Sequence, residues 1–244
     1  MQAQRVDAVD ALRGLAMVWM TVFHFCFDLS QQGLLRANFY ADPFWTTQRT
    51  CILSLFLACA GMGQSLALAN GQRWARFARR ATQIGLCALA VTAASMWMFP
   101  NSFIYFGVLH GMLVMLLLVR LAAPLGGWLW PLGALLLALK PLAAWAIGIG
   151  WWSAVLNTRA LNWLGLVSVK PITEDFVPLV PWLGVMCWAM AAMQWWLHRA
   201  PRTTVLPRWL APAAALGRWS LTYYMLHQPV LLGLLWLWTT GRGG

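Results

Sequence analysis

The segment VDALRGLAMVWMTVFHFCFDL, residues 9–29, decides how this chain folds. Its length matches the roughly 20 apolar residues with which an α-helix crosses a bilayer. The same segment nevertheless contains four ionisable side chains, which are Asp10, Arg13, His24 and Asp28. An ionisable group inside a membrane span is costly and indicates function by default. The segment therefore predicts both a membrane helix and the position of the chemistry.

The composition of the whole chain agrees with this interpretation. Of its 244 residues, 61% are hydrophobic and 9% are charged, whereas soluble domains contain about 25% charged residues. The formal net charge of +11 is spread among apolar blocks. Such a distribution is typical of the positive-inside bias of membrane proteins rather than of a nucleic-acid-binding surface. We expect an integral membrane protein that binds no nucleic acid.

Seven apolar segments are long enough to span a membrane, at residues 9–29, 50–69, 81–99, 103–122, 127–147, 177–197 and 215–238. These runs are continuous, which favours helices over the alternating strands of a transmembrane barrel. The predicted fold is all-α, a polytopic bundle of about seven transmembrane helices. We expect one integral membrane domain over residues 1–244.

Arginine placement predicts the orientation of this bundle. Arginines crowd the links after the second and sixth spans, at Arg73, Arg76, Arg79 and Arg80, and at Arg199, Arg202 and Arg208. Because cytoplasmic loops collect Lys and Arg, both links are expected inside the cell. The amino terminus is then cytoplasmic, and residues 148–176 form an outer loop. The predicted location is the inner (plasma) membrane, with several crossings.

The four ionisable residues of the first span share one face of the helix. At about 100° per residue, Arg13 and His24 point within roughly 20° of the same direction. Asp10 precedes Arg13 by three residues near the inner surface, and this pair is either structural or functional. Asp28 follows His24 by four residues near the outer surface. There a carboxylate can fix the imidazole tautomer and raise its basicity, as a general base requires.

Two further histidines lie within predicted spans. His110 is in FIYFGVLHGM, about two turns from the outer end of the fourth span, and His227 is in SLTYYMLHQPV of the seventh. A lone histidine often only bonds a neighbouring carbonyl. Three of the chain's four histidines within spans predict a shared polar chamber with His24. We expect no metal there, because three separate helices supply no HExxH or paired-histidine spacing.

Other polar residues are candidates for contacting a substrate. Asp175 precedes FVPLVPWLG, where it either caps the following helix or bonds a polar substrate. Arg49 opens the second span on the outer side, where it either snorkels to the interface or clamps an anionic or sugar group. Tyr223 and Gln228 flank His227, and with Asp10 they complete the predicted substrate-binding set.

Several segments resemble a known family. RVDAVDALRGLAMVWMTVFHF resembles the opening helix of the membrane acyltransferase superfamily, in which ten residues separate an Arg from a His, as they separate Arg13 from His24. The order of the other motifs is similar to that of bacterial relatives of heparan-alpha-glucosaminide N-acetyltransferase. Those motifs are FGVLH (106–110), DFVPLVPWLG (175–184) and SLTYYMLHQPV (220–230).

The resemblance implies acyl transfer across the membrane, from cytoplasmic acetyl-CoA to a sugar on the far side. By motif, His24 would be the catalytic histidine and Arg13 would act at the CoA-facing end. The chamber would be lined by His110, Asp175 and His227. Family members have more spans than this chain, and a homodimer is one way to supply them. Residues 30–49 contain no counterpart of the outer-loop histidine that the eukaryotic enzyme uses.

Residues and resemblance together favour a transmembrane acyltransferase that moves an acetyl or other acyl group to a hydroxyl or amine. His24, oriented by Asp28, would deprotonate the acceptor or carry the acyl group itself. The expected partners are the lipid bilayer, an acyl-CoA and a glycan or other small polar acceptor. The alternative is a proton-coupled small-molecule transporter, since buried His and Asp also build proton relays. No convincing internal repeat supports that alternative, and a structural subunit explains the polar face poorly.

Overall fold

The computed structural model describes residues 6–147, 152–199 and 206–241. The α-helices in these ranges are α1 (Asp7–Gln31), α2 (Pro43–Ala69), α3 (Trp74–Met98), α4 (Val108–Ala122), α5 (Leu129–Ile147), α6 (Trp152–Leu156), α7 (Leu179–Arg199), α8 (Ala211–Arg218) and α9 (Ser220–Thr240). Short 3-10 helices lie at Ala123–Trp128, Asn162–Leu164 and Arg208–Leu210. The described ranges contain no β-strand, and the predicted all-α class is confirmed.

Four helical stretches of the described chain are long and apolar enough to cross a membrane. They are α1, α2, α3 and the stretch Val108–Ala143, which contains α4 and most of α5. Helices α7 and α9 have 21 residues each, about 30 Å at 1.5 Å per residue. The chain is thus a helical membrane protein, while the seven crossings and the cytoplasmic amino terminus stay predictions. Arg202 and positions 148–151 of the predicted outer loop lie outside the described residues.

The chain divides into two compact units. The terminal unit consists of residues 5–59 and 203–244 and contains α1, α8, α9 and the first part of α2. The central unit is built on residues 60–202 and contains the end of α2 together with α3 to α7.

In the terminal unit, α1 and α8 lie backbone against backbone. A Cβ atom added at Gly14 would overlap the carbonyl oxygen of Ala213, and one at Gly217 would overlap the carbonyl oxygen of Asp10. Gly14, the last residue of the motif DALRG (residues 10–14), is therefore required by close helix packing, the usual use of small residues between membrane helices. Farther along α1, a buried apolar cluster forms from Met17, Met20, Phe23, Phe39 and Ile52.

In the central unit, small residues again allow close approach. A Cβ atom at Gly61 of α2 would lie 2.5 Å from the carbonyl oxygen of Met186 on α7, and one at Gly184 of α7 would lie 2.7 Å from the carbonyl oxygen of Gly133 on α5. Any side chain at these glycines would hold the two helix backbones farther apart.

A buried arginine, Arg120, holds the carboxyl-terminal end of α4 against the segment that leads into α3. Arg120 is 5% exposed and donates to the side-chain and backbone oxygens of Gln72, at 2.9 and 2.7 Å. Its guanidinium lies 4.6 Å from the ring centroid of Trp74 and 4.7 Å from that of Phe77. These cation–π contacts stabilise a charge removed from water.

The fourth helix begins later than the sequence predicts. The predicted span starts at residue 103, but α4 begins at Val108, because the preceding residues pair with a distant segment instead. Glu174 N–H donates to the Ser102 carbonyl at 2.9 Å, and Val177 N–H donates to the Phe106 carbonyl at 3.1 Å. A parallel bridge joins Phe106 to Phe176. This pairing carries Asp175 to the start of α4.

The packing of α1 on α8 predicts the effect of one added methyl group. Gly14→Ala should lower the stability of the detergent-solubilised protein by about 1–3 kcal/mol, because the methyl group must displace the α8 backbone. Thermal unfolding followed by circular dichroism measures the change. Gly233→Ala in α9 is the matched control, since no atom lies within 4 Å of its added Cβ. Equal stability of the two variants would contradict the close packing.

Candidate functional site

Three polar pairs join α1 to α9 in the terminal unit. They are Thr21–Tyr223, His24–His227 and Asp28–Gln228. The partner number rises along both helices, so α1 and α9 run in the same direction. Because a polar group in a bilayer must find its partner within protein, the polar face of α1 is matched by a polar face of α9.

The central pair consists of two hydrogen-bonded imidazoles. His24 Nδ1 lies 2.8 Å from His227 Nε2, with an angle of 22° between the ring planes. His227 Nδ1 lies 2.7 Å from the carbonyl oxygen of Tyr224, so both nitrogens of His227 have partners. No described residue hydrogen-bonds to His24 Nε2, and this atom is not among the buried side-chain atoms that lack a partner. Of the two rings, that of His24 keeps a nitrogen without a hydrogen-bond partner among the described residues.

Asp28 bonds Gln228 rather than His24. The Gln228 amide nitrogen lies 2.8 and 3.0 Å from the two oxygens of the Asp28 carboxylate, which is only 5% exposed. The predicted Asp28–His24 contact is not found among the hydrogen bonds of the described residues. The spacing of four residues puts both side chains on one face, but α9 brings a separate partner to each of them. His227 occupies the position that we predicted for the carboxylate.

The Gln228 amide has an unused acceptor. A carboxylate only accepts hydrogen bonds, so the amide nitrogen must face Asp28 and the amide oxygen must point away from it. Gln228 Oε1 is buried and has no partner among the described residues. An unpaired buried acceptor is costly, which makes this oxygen a candidate for contacting a donor group of a ligand.

The third pair borders an open groove. Tyr223 OH lies 2.7 Å from Thr21 Oγ1, and both residues line a groove of about 260 Å³ with His227 and with three aliphatic side chains, Leu226, Val230 and Leu231. Pro229 lies inside α9 without ending it. The groove thus combines three polar side chains, those of Thr21, Tyr223 and His227, with aliphatic walls on α9.

At the opposite end of α1, Asp10 and Arg13 form the predicted pair. Arg13 donates to Asp10 at 2.9 Å and to the backbone carbonyl of Cys59 on α2 at 3.2 Å. These bonds favour the structural interpretation, because they fasten α1 to α2 within the terminal unit. The predicted contact of Arg13 with the acyl donor stays a prediction.

Arg49 lies in the second turn of α2, since this helix begins at Pro43 rather than near residue 50. Asp42 Oδ1 accepts the N–H of Phe44 at 2.8 Å, and such a cap stabilises a helix start. Arg49 is exposed, and no described residue forms a hydrogen bond or an ion pair with it. Its predicted role in substrate binding stays a prediction.

His110 and Asp175 belong to the central unit, where both cap α4. Gly107 N–H donates to His110 Nδ1 at 3.3 Å, and His110 Nε2 lies 3.1 Å from Thr92 Oγ1. Asp175 Oδ2 accepts the N–H of Val108 at 2.7 Å. His110 is in the first turn of its helix instead of two turns inside, and Asp175 caps α4 rather than the helix that follows it in sequence. The later start of α4 explains both differences.

Sequence reasoning missed some members of the site. Thr21 lies one turn before His24 on the same face of α1, so its position on the polar face was a usable signal. The carbonyl of Tyr224 bonds His227, and nothing in the sequence marks a backbone oxygen as a partner. Within the described residues, no group of three or more His, Cys, Asp or Glu side chains is placed to hold a metal ion.

The comparisons with known proteins identify one family. One protein family matches the chain over residues 5–229, and its description is heparan-alpha-glucosaminide N-acetyltransferase, catalytic. No curated protein and no solved structure gives a significant match. Apolar spans and this match define the class of the protein as a membrane acyltransferase. Since the match covers nearly the whole chain, the chain belongs to the heparan-alpha-glucosaminide N-acetyltransferase catalytic family.

The bonds of His110 predict a structural consequence. His110→Ala should destabilise the protein by about 1–3 kcal/mol, because the Gly107 N–H loses its acceptor and Thr92 loses a partner. Chemical or thermal unfolding in detergent measures the loss. His198→Ala is the control, since His198 is exposed at the end of α7. Unchanged stability of His110→Ala would show that the cap contributes nothing.

Proposed function

We propose that the protein transfers an acetyl group from acetyl-CoA on the cytoplasmic side of the membrane to a hydroxyl or amine of a sugar on the outer side, with His24 Nε2 as the general base. Family membership supports the acetyl transfer. One observation supports the choice of base. In the His24–His227 pair both nitrogens of His227 are bonded, whereas His24 Nε2 has no partner among the described residues.

The proposed reaction is a single displacement at the thioester carbonyl. The acceptor approaches His24, and Nε2 removes the proton from its oxygen or nitrogen as the new bond to the acetyl carbon forms. The carbon–sulfur bond breaks, and the electron pair leaves with the sulfur of CoA. The proton on His24 then returns to the thiolate or to solvent. This route uses no acyl-histidine intermediate.

Gln228 is proposed to bind the acceptor. Its Oε1 is buried and without a described partner, and Asp28 fixes its direction by accepting both hydrogen bonds of the amide nitrogen. A sugar hydroxyl or amine is a donor of the kind that this oxygen lacks. Gln228 follows His227 directly in the chain, and His227 bonds the proposed base His24. An acceptor bound to Gln228 would therefore be held close to that base.

The arginines at the start of α3 are proposed to attract the donor. Arg73, directly before α3, and Arg76 and Arg79, in its first two turns, are exposed. Guanidinium groups suit the phosphates of CoA, and a cluster of them raises the local concentration of an anionic substrate. Their predicted cytoplasmic position agrees with a donor that comes from the cytoplasm.

The base assignment predicts a large loss of rate. His24→Gln should lower kcat by about 10²–10⁴-fold, the usual contribution of a general base. The measurement follows radiolabelled acetyl transfer by protein in lipid nanodiscs, with glucosamine as an amine acceptor and glucose as a hydroxyl acceptor.

His198→Gln is the matched control and should keep the native rate. Loss of activity in His110→Ala but not in His24→Gln would contradict the choice of base. Absence of both thioester turnover and specific CoA binding in the native protein would contradict the proposed acetyltransferase activity.

The acceptor contact predicts a change in KM. The double variant Asp28→Leu/Gln228→Met removes the pair without leaving a lone carboxylate in the apolar region. Its KM for the acceptor should rise about three- to tenfold, the effect of losing one neutral hydrogen bond, while its KM for acetyl-CoA stays unchanged. Gly233→Ala on the same helix is the control. Equal changes in both KM values would argue against a specific acceptor contact.

A further inference from the structure

The positions of the protons in the His24–His227 pair follow from the carbonyl oxygen of Tyr224, which bonds His227. The carbonyl oxygen of Tyr224 only accepts hydrogen bonds, so His227 must carry its proton on Nδ1, 2.7 Å away. A neutral imidazole has one N–H, and His227 Nε2 is therefore a bare acceptor. His24 Nδ1, 2.8 Å from that nitrogen, must then be the donor. A neutral His24 consequently has its lone pair on Nε2.

We infer that His227 is a positioning residue, which holds the proton of His24 on Nδ1 and so keeps Nε2 available as the base. The consequence for catalysis rests on the proposed function, whereas the tautomer is a property of the resting protein. His227 itself touches no reacting atom in this arrangement, since both of its nitrogens are bonded. It acts through His24.

The surroundings of His227 fix its ring. The side chain is 8% exposed and lies between two tyrosines. The ring of Tyr223 is nearly parallel to it, at 8° and with 6.1 Å between centroids, and the ring of Tyr224 lies 5.7 Å away. A rotation of the imidazole would break its bonds to Tyr224 and His24 together. The ring thus has one orientation that satisfies both nitrogens.

The flanking pairs hold α9 in register with α1. Thr21 donates its hydroxyl proton to the Met17 carbonyl at 2.9 Å, so Tyr223 must be the donor in the 2.7 Å bond between the two hydroxyls. On the other side, Gln228 donates to both oxygens of Asp28. With one pair before the histidines and one after them, α9 cannot slide along α1 without breaking hydrogen bonds.

A neutral histidine is suited to this role in a bilayer. A carboxylate partner for His24 would put a second charge near Asp28, and burying an unpaired charge is costly. His227 instead offers an uncharged acceptor in the resting protein. When His24 gains a proton on Nε2, its Nδ1–H still donates to His227, so the pair needs no rearrangement during proton transfer.

The tautomer of His24 is measured directly by nitrogen-15 NMR. The full-length protein, labelled on histidine and held in lipid nanodiscs, has four histidines, and single His→Gln variants assign their signals. The expected result is a protonated Nδ1 and a bare Nε2 in His24. A proton on His24 Nε2 in the native protein would overturn the inference.

Two substitutions of His227 distinguish a role in positioning the His24 proton from a role in packing alone. His227→Gln offers an amide oxygen that accepts the His24 proton, so the Nδ1–H tautomer should persist. His227→Leu fills the space but accepts nothing, and His24 should shift toward the Nε2–H form that neutral histidine prefers in water. An unchanged His24 tautomer in His227→Leu would overturn the inference. His198→Leu, at the exposed end of α7, is the control for general effects of losing a histidine.

Kinetics connect the tautomer to the reaction. His227→Leu should lower kcat by about 10²–10³-fold, within the range for disabling a general base, with little change in either KM, and His227→Gln should recover most of the rate. Equal loss in both variants would point to packing and overturn the positioning role. If the native protein transfers no acetyl group but shows the expected tautomers, the proposed function fails and the positioning of His24 stands.

Discussion

The structure depends on one constraint, which is that polar groups within a membrane must be satisfied by other parts of the protein. Helix α1 carries several polar residues on one face, and water cannot hydrate them inside hydrocarbon. Near its start, Arg13 bonds Asp10 and the carbonyl of Cys59. Farther along, the same face meets the polar residues of α9. The contacts of α1 with α2 and with α9 follow from these partners.

The close approach of α1 and α8 has a different physical origin. Without a hydrophobic driving force between helices in lipid, association relies on backbone proximity and on hydrogen bonds. Gly14 and Gly217 supply that proximity. The motif DALRG therefore combines two structural functions in consecutive residues, an arginine that bonds α2 and a glycine that admits α8. In this protein the motif therefore has a structural explanation that needs no contact with substrate.

Polar contacts in this protein differ in whether every hydrogen-bonding atom has a partner. Both ring nitrogens of His110 are engaged by Gly107 and Thr92 within the central unit. The His24–His227 and Asp28–Gln228 pairs each leave one atom without a described partner, His24 Nε2 and Gln228 Oε1. A polar group whose atoms all have partners stabilises a helix end, whereas a group with an atom left over is able to bond a ligand. This difference, rather than the presence of histidine in a span, distinguishes His24, the proposed base, from His110.

The sequence predicted the helical class and located each long helix, because hydropathy alone reports burial in lipid. It also predicted that His24 and Asp28 share a face, since helical periodicity fixes direction within one element. It failed where a contact joins segments far apart in the chain. The start of α4 moved because residues 102–106 pair with residues 173–177, and Asp175 caps that helix for the same reason. No local pattern contains such information.

By itself, then, the sequence determined that this protein is a membrane helix bundle with rare charges on one face of α1, and its motifs carried the family resemblance. Only the tertiary structure decided which partners His24 and Asp28 have. The partner of His24 is an imidazole some two hundred residues away, and that of Asp28 is an amide on the same distant helix. The physical reason is that periodicity fixes where a side chain points on its own helix, whereas helix packing decides what it meets there.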